Sequence, residues 1–137
     1  MFVYRFMSEK EFYLVTSGCK IVGKRYHKCK TSSKGVCFLP EKVNFYSGSQ
    51  EYSWEPEYCF RFMLGIVSDE VLVKFEVINA DLIKSSGIYA DPINDDDWYA
   101  RITIEELCIP FYDREMLRPV AYAINERGYS WKWYPYN

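Results

Sequence analysis

The groups in this chain best suited to chemistry are one cation near its start and two carboxylates far downstream. Arg5 sits inside the apolar run Phe2-Val3-Tyr4-Arg5-Phe6, and Glu105 and Glu106 stand directly before Leu107-Cys108-Ile109-Pro110. An arginine among apolar neighbours needs a partner, because burying an unpaired charge is costly. Its forked donors match phosphate oxygens in pairs, so a phosphate or pyrophosphate is one suitable partner. A structural ion pair, or an edge-strand position in water, is the other reading. A carboxylate at the mouth of a strand can stabilise a developing oxocarbenium ion or orient a hydroxyl or amine nucleophile. It is equally an ordinary charged strand end. Adjacent strand residues face opposite ways, so only one of Glu105 and Glu106 can enter a given cleft.

The elements that must carry these groups are short. Residues 1–6 read as a strand, with Val3 and Arg5 on one face and Phe2, Tyr4 and Phe6 on the other. Ser8-Glu9-Lys10-Glu11 has the form of a capping box and opens a helix ending near Gly18. Val36–Leu39 and Val43–Tyr46 read as extended, with Gly48-Ser49 as a turn. Pro56 suits the first turn of a helix over Glu57–Leu64, although the apolar spacing there also permits a strand. Val71–Ile78 alternates, and residues 79–97 read as loop. Trp98–Ile104 and Leu107–Ile109 are read as two strands with the carboxylates between them. A helical turn is expected over Asp113–Leu117. Val120–Ile124 and Tyr129–Trp133 form a hairpin, with Val120, Tyr122, Ile124, Tyr129, Trp131 and Trp133 on one buried aromatic face. Six or seven strands and two or three helices, helices early and strands late, predict one α+β domain over residues 1–137 with a mostly antiparallel sheet.

Other constellations carry less. His27 and Cys29 lie one residue apart with Cys19 and Cys37 outside them, but structural zinc sites usually use closer cysteine pairs, such as two residues between cysteines, and His27 is the only histidine, so no metal is expected. Asp95-Asp96-Asp97 lacks the glycine and distal glutamate of a calcium loop. No phosphate-cradling glycine loop or nucleophile elbow occurs. The loop Lys24-Arg25-Tyr26-His27-Lys28-Cys29-Lys30 mixes cations with an aromatic, a combination that suits phosphate backbones and stacked bases, or that simply balances an acidic body. The candidate partner-binding residues are Lys24, Arg25, Lys28 and Lys30.

Composition sets the outer bounds. The 137 residues are 49% hydrophobic and 19% aromatic, enough for a real core and unlike a disordered chain. The formal charge of −2 conceals a strongly basic first quarter and an acidic remainder, an asymmetry that points to a polyanion partner or to self-complementary faces. Five scattered cysteines do not form a disulfide framework, and no apolar stretch has the length of a membrane span or the form of a signal peptide. A cytoplasmic, reducing location without membrane contact is expected.

Taken in order, the segments Tyr4-Arg5, the Ser8–Gly18 helix, Gly35-Val36-Cys37-Phe38, Val71–Val77 and Glu106-Leu107-Cys108-Ile109 resemble the ADP-ribosyltransferase-like fold. The likeness is to small toxin-type or phage anti-defence members, and each motif is short. It implies an NAD-dependent mono-ADP-ribosyltransferase acting on a protein or nucleic acid. Arg5 would hold the pyrophosphate or ribose side of NAD, and Tyr4 would share the cofactor site. Phe38, with Tyr46 or Tyr58, would pack on nicotinamide. Glu106 would be catalytic, binding ribose hydroxyl and stabilising the oxocarbenium-like state. Two departures count against arginine as the acceptor: Ile104 stands where arginine-modifying members carry Glu or Gln, and their Ser-Thr-Ser motif is missing after Gly35. The competing expectation is a non-enzymatic inhibitor or binding module that engages a protein or nucleic-acid complex through the basic loop and aromatic surface.

Overall fold

The computed structural model describes residues 1–23, 36–47, 50–59, 71–81, 88–92, 102–126 and 130–137. The basic loop Lys24–Lys30, Asp95–Asp97 and residues 60–64 of the expected helix lie outside the described residues. The first strand, β1 (Phe2–Met7), leads at once into α1 (Glu9–Thr16). Ser8 caps the helix as its sequence predicts, its Oγ accepting from the Glu11 amide at 3.1 Å. The helix ends at Gly18, whose φ of 79° is open to glycine at little cost. Arg114 closes the same end by donating to the Val15 and Thr16 carbonyls.

Strands then dominate: β2 (Ile21–Val22), β3 (Val36–Phe38), β4 (Val43–Ser47), β5 (Gln50–Trp54), β6 (Val71–Val77), β7 (Ile88–Pro92), β8 (Ile102–Ile109), β9 (Phe111–Tyr112), β10 (Leu117–Glu126) and β11 (Ser130–Pro135). Every strand pairing among the described residues is antiparallel. One sheet runs β1-β6-β10-β11, a second β3-β8-β4-β5 with β7 on β8, and β2 pairs β9. The first two sheets are stitched where Tyr4 and Leu39 exchange both backbone bonds, at 2.8 and 2.7 Å. The result is an antiparallel β-rich chain with one α-helix among the described residues and more strands than the sequence predicts.

The differences have identifiable causes. Residues 56–59 close a 3-10 turn at the start of the expected helix, whose remaining residues lie outside the described ones. β7 falls in the stretch read as loop, because its Ile88-Tyr89-Ala90-Asp91-Pro92 has too little alternation to announce a strand. Residues 102–109 form one strand, not two, because β8 is laddered on both edges. β7 pairs residues 103–107, while β4 and β3 lie end to end along the other edge at 102–104 and 107–109. Residues 113–117, by contrast, form the single turn expected there: the Leu117 amide donates to the Asp113 carbonyl at 3.0 Å, and the Asp113 carboxylate accepts from the Glu115 and Met116 amides. Pro119 lacks a donor, and the β6–β10 ladder shifts between Pro119 and Ala121.

The β10–β11 register also departs from expectation. Glu126 pairs Ser130, Ala123 pairs Trp133 and Tyr122 pairs Tyr134. Trp131 and Trp133 therefore share a face with Ala123 and Asn125, and Tyr122 and Ile124 share the opposite one with Tyr134 and Lys132. A slip by an odd number of residues exchanges the faces of a strand.

The four-stranded sheet is buried on both sides. One face carries Val3, Val71, Val73, Phe75 and Leu117, packed with Val15 of α1 and with Val36, Phe38, Ile109 and Tyr112. The other carries Tyr4, Phe6, Leu72 and Ala123, packed with Leu39 and Val43 and flanked by Phe2, Trp54, Trp131 and Trp133. Cys37 is disulfide-bonded, a pairing the scattered cysteine spacing did not announce, and Cys108 is its register partner on β8. Cys19 is a free, exposed thiol. Among the described residues no helix is long and apolar enough to cross a membrane.

Candidate functional site

Alternation along β1 sends Arg5 and Tyr4 to opposite faces of the sheet, and each becomes the centre of a different cluster. On the α1 side, the tight passage from β1 through Ser8 turns the helix back so that its first turn lies beside the strand. Glu11 then meets Arg5 in a forked pair: Nε donates to Oε2 at 2.7 Å and Nη2 to Oε1 at 2.8 Å. Nη1 donates to the Cys37 carbonyl at 3.1 Å. The Tyr112 hydroxyl donates to Glu11 Oε2 at 3.2 Å. The Arg5 and Glu11 side chains are 22% and 18% exposed, so the pair is largely removed from water. Burial first, and then the Glu11 carboxylate, push the Tyr112 hydroxyl far above the ordinary tyrosine value, with Arg5 opposing. Tyr112 therefore stays a donor.

This arrangement alters two sequence-level expectations. The carboxylate half of the capping box is not spent on the helix, because Glu11 takes the stronger charge-assisted pairing with Arg5. All three Arg5 nitrogens have partners within the protein, the ion-pair alternative that the sequence left open. Phe38 is 0% exposed and meets Phe75 and Tyr112 edge-to-face at ring separations of 5.8 and 5.2 Å. The Arg5 guanidinium lies over its ring at 5.9 Å.

Glu106 lies inside β8, opposite Tyr89 and at the junction where β3 ends and β4 begins. It is mid-strand, not at a strand mouth. The side chains of Glu105, Glu106, Tyr46 and Tyr58 lie outside the described residues, as do Lys24, Arg25, Lys28 and Lys30. Tyr46 is placed on β4 opposite Glu51 and Thr103, and Tyr58 in the 3-10 turn.

The second face is the aromatic one. Tyr4 meets Trp133 edge-on at 6.0 Å, and Phe6 meets Trp131 at 5.4 Å. Trp133 Nε1 donates to Glu57 Oε2 at 3.0 Å. The Lys74 ammonium sits 4.3 Å from the Phe2 ring centre and 5.9 Å from that of Tyr4. The Tyr4 hydroxyl is pushed up to about 12, by burial first and then by the carboxylates of Glu41, Glu57 and Glu55. Three tryptophans, 54, 131 and 133, are only partly buried at the rim of this face.

Sequence reading missed Glu11, Tyr112 and Glu57 as partners. Glu11 was within reach of it, since a helix that starts immediately after a strand returns its first turn toward that strand. Tyr112 and Glu57 were not, because only the tertiary fold brings them in. Among the described residues no group of three His, Cys, Asp or Glu is arranged to hold a metal.

No family model matches the chain, and neither a curated protein nor a solved structure matches it.

Proposed function

We propose that this protein is a non-enzymatic binding module that engages a macromolecular partner through its aromatic rim, with the basic loop 24–30 as an accessory contact. The observation that carries this reading is the rim itself: Trp54, Trp131 and Trp133 stand partly exposed around one sheet face. Tryptophan combines a large apolar area with a polar edge and few rotatable bonds, so it is the residue type most enriched among interface hot spots.

The transferase reading meets a specific obstacle. A pyrophosphate approaching Arg5 would have to displace Glu11, whose two oxygens already fill the guanidinium fork. Tyr4 and Arg5, the two residues expected to share NAD, lie on opposite faces of β1, and Phe38 would have to leave the core to meet nicotinamide.

The deciding experiment incubates the protein with labelled NAD and cell lysate, beside calorimetry with NAD alone. The binding-module reading expects neither heat nor label transfer. Label transfer that is abolished by Glu106→Gln would overturn it and establish the ADP-ribosyltransferase. Charge reversal at Lys24, Arg25 and Lys28 tests the accessory loop: partner affinity and its salt dependence should both fall, and unchanged affinity would remove the loop from the interface.

A further inference from the structure

The aromatic rim has a sign. Over residues 41–57 the chain carries four glutamates against one lysine. The charges of three of these glutamates, 41, 57 and 55, oppose ionisation of the Tyr4 hydroxyl, and Glu57 lies on the Trp133 indole that meets the Tyr4 ring. Glu57 is anchored there by the Trp133 indole, and Glu55 is paired with Lys42. The face already holds a cation against its rings, since Lys74 lies over Phe2 and Tyr4. Indole and phenol faces attract ammonium and guanidinium groups, and a carboxylate at the ring edge adds a charge-assisted acceptor for them. Phosphate groups would meet these carboxylates, while the Lys74 ammonium is held over the Phe2 and Tyr4 rings and Lys42 is paired with Glu55.

We infer that the rim formed by Trp133, Tyr4, Glu57 and Glu41 docks an arginine- or lysine-bearing segment of a partner protein. The guanidinium or ammonium lies against the Trp133 ring and is bonded by the Glu57 and Glu41 carboxylates. Charge complementarity selects this occupant over a nucleic acid. Glu57 has one oxygen on the Trp133 indole, which fixes the carboxylate and leaves its remaining lone pairs to accept from the incoming cation. Glu41 is exposed and supplies the outer charge. The inference rests on the binding-module reading and gives that reading its site and the chemistry of its partner.

The test follows the indole N–H resonances of the full chain, labelled with nitrogen-15, during titration at low salt. The probes are nona-arginine, nona-glutamate and a single-stranded oligonucleotide. Nona-arginine should shift the Trp133 resonance saturably, assigned by its loss in Trp133→Phe. The midpoint should move at least tenfold to higher concentration in Glu57→Gln and severalfold in Glu41→Gln. Glu41→Gln changes an exposed side chain and keeps the test valid should Glu57→Gln fail to fold. A silent Trp133 resonance, a titration unchanged by both substitutions, or a stronger response to the oligonucleotide would each overturn the proposal. NAD labelling run in parallel separates the two levels. Label transfer removes the binding-module reading, whereas a silent resonance without label transfer removes this surface alone.

Discussion

Replacing Arg5 or Glu11 should cost stability, and the two losses should not add. The fork makes two charge-assisted bonds at 2.7 and 2.8 Å, and Arg5 spends a third donor on the Cys37 carbonyl. Breaking a buried pair by removing one partner costs about 3–5 kcal/mol, and a hydrogen bond to a charged group contributes about 1.5–3 kcal/mol. Residual exposure of 22% and 18% lets water solvate the partner left behind, which places this pair below the fully buried case. Arg5→Met should therefore destabilise by about 2–3 kcal/mol and Glu11→Gln by about 2 kcal/mol. Because each single change breaks the same pair and strands the other member, the double variant should fall short of the sum by about 1–2 kcal/mol. Urea denaturation of the four proteins, compared at constant slope, reads these values. Between low and moderate salt the coupling should decline only slightly, since a pair held away from solvent is poorly screened. A coupling near zero, or an Arg5→Met protein as stable as the parent, would refute the argument. Arg5 would then be poised for a ligand rather than holding α1 to β1.

Four further outcomes follow from particular contacts. Phe38→Ala should cost about 3–5 kcal/mol, because a wholly buried ring between Phe75 and Tyr112 leaves a cavity; a loss under about 1 kcal/mol in the same denaturation would contradict its core placement. Gly18→Ala should cost about 1–2 kcal/mol, since its φ of 79° is strained for any other residue and the new methyl would meet the Arg114 guanidinium at 3.4 Å; a neutral result by thermal melting would refute the left-handed cap. The Tyr4 hydroxyl, with a folded value of about 12 against an ordinary 10.0, favours the fold while protonated. That contribution is complete below about 10 and lost as pH rises through about 12, so ultraviolet titration should show Tyr4 ionising late and Tyr112 later still, with Glu57→Gln moving only the earlier of the two downward; a titration that Glu57→Gln leaves unchanged would refute the assignment. Non-reducing peptide mapping should recover Cys37 joined to another cysteine, with Cys108 expected from the strand register; a Cys37 thiol alkylated in the folded protein would contradict the bond.

Local sequence was sufficient wherever one segment settles its own conformation. Ser8 caps whatever helix follows it, because its oxygen needs only the amide three residues on. Gly18 ends that helix by its freedom at positive φ. The alternation of Val71, Val73, Phe75 and Val77 made a strand with one apolar side, and β6 is that strand. The alternation in β1 likewise separates Arg5 from Tyr4, a consequence already contained in the sequence although both residues were expected at one cofactor.

The tertiary structure decided what depends on which strands become neighbours. Residues 105 and 106 interrupt an apolar pattern and so read as a break. Backbone bonds from β7 on one edge and from β3 and β4 on the other carry β8 through them regardless. The hairpin register put Trp131 and Trp133 beside Phe6 and Tyr4 rather than beside Tyr122, because side-chain period alone does not fix the offset between two strands. In the sequence Glu11 read only as the carboxylate of a capping box. It went to Arg5 because a charge buried in the fold must be neutralised, whereas the Ser8 amide at the helix start is a weaker claim on a carboxylate. Residue types fixed in advance which groups needed partners; only the fold, by setting distances between segments remote in sequence, determined which partners they found.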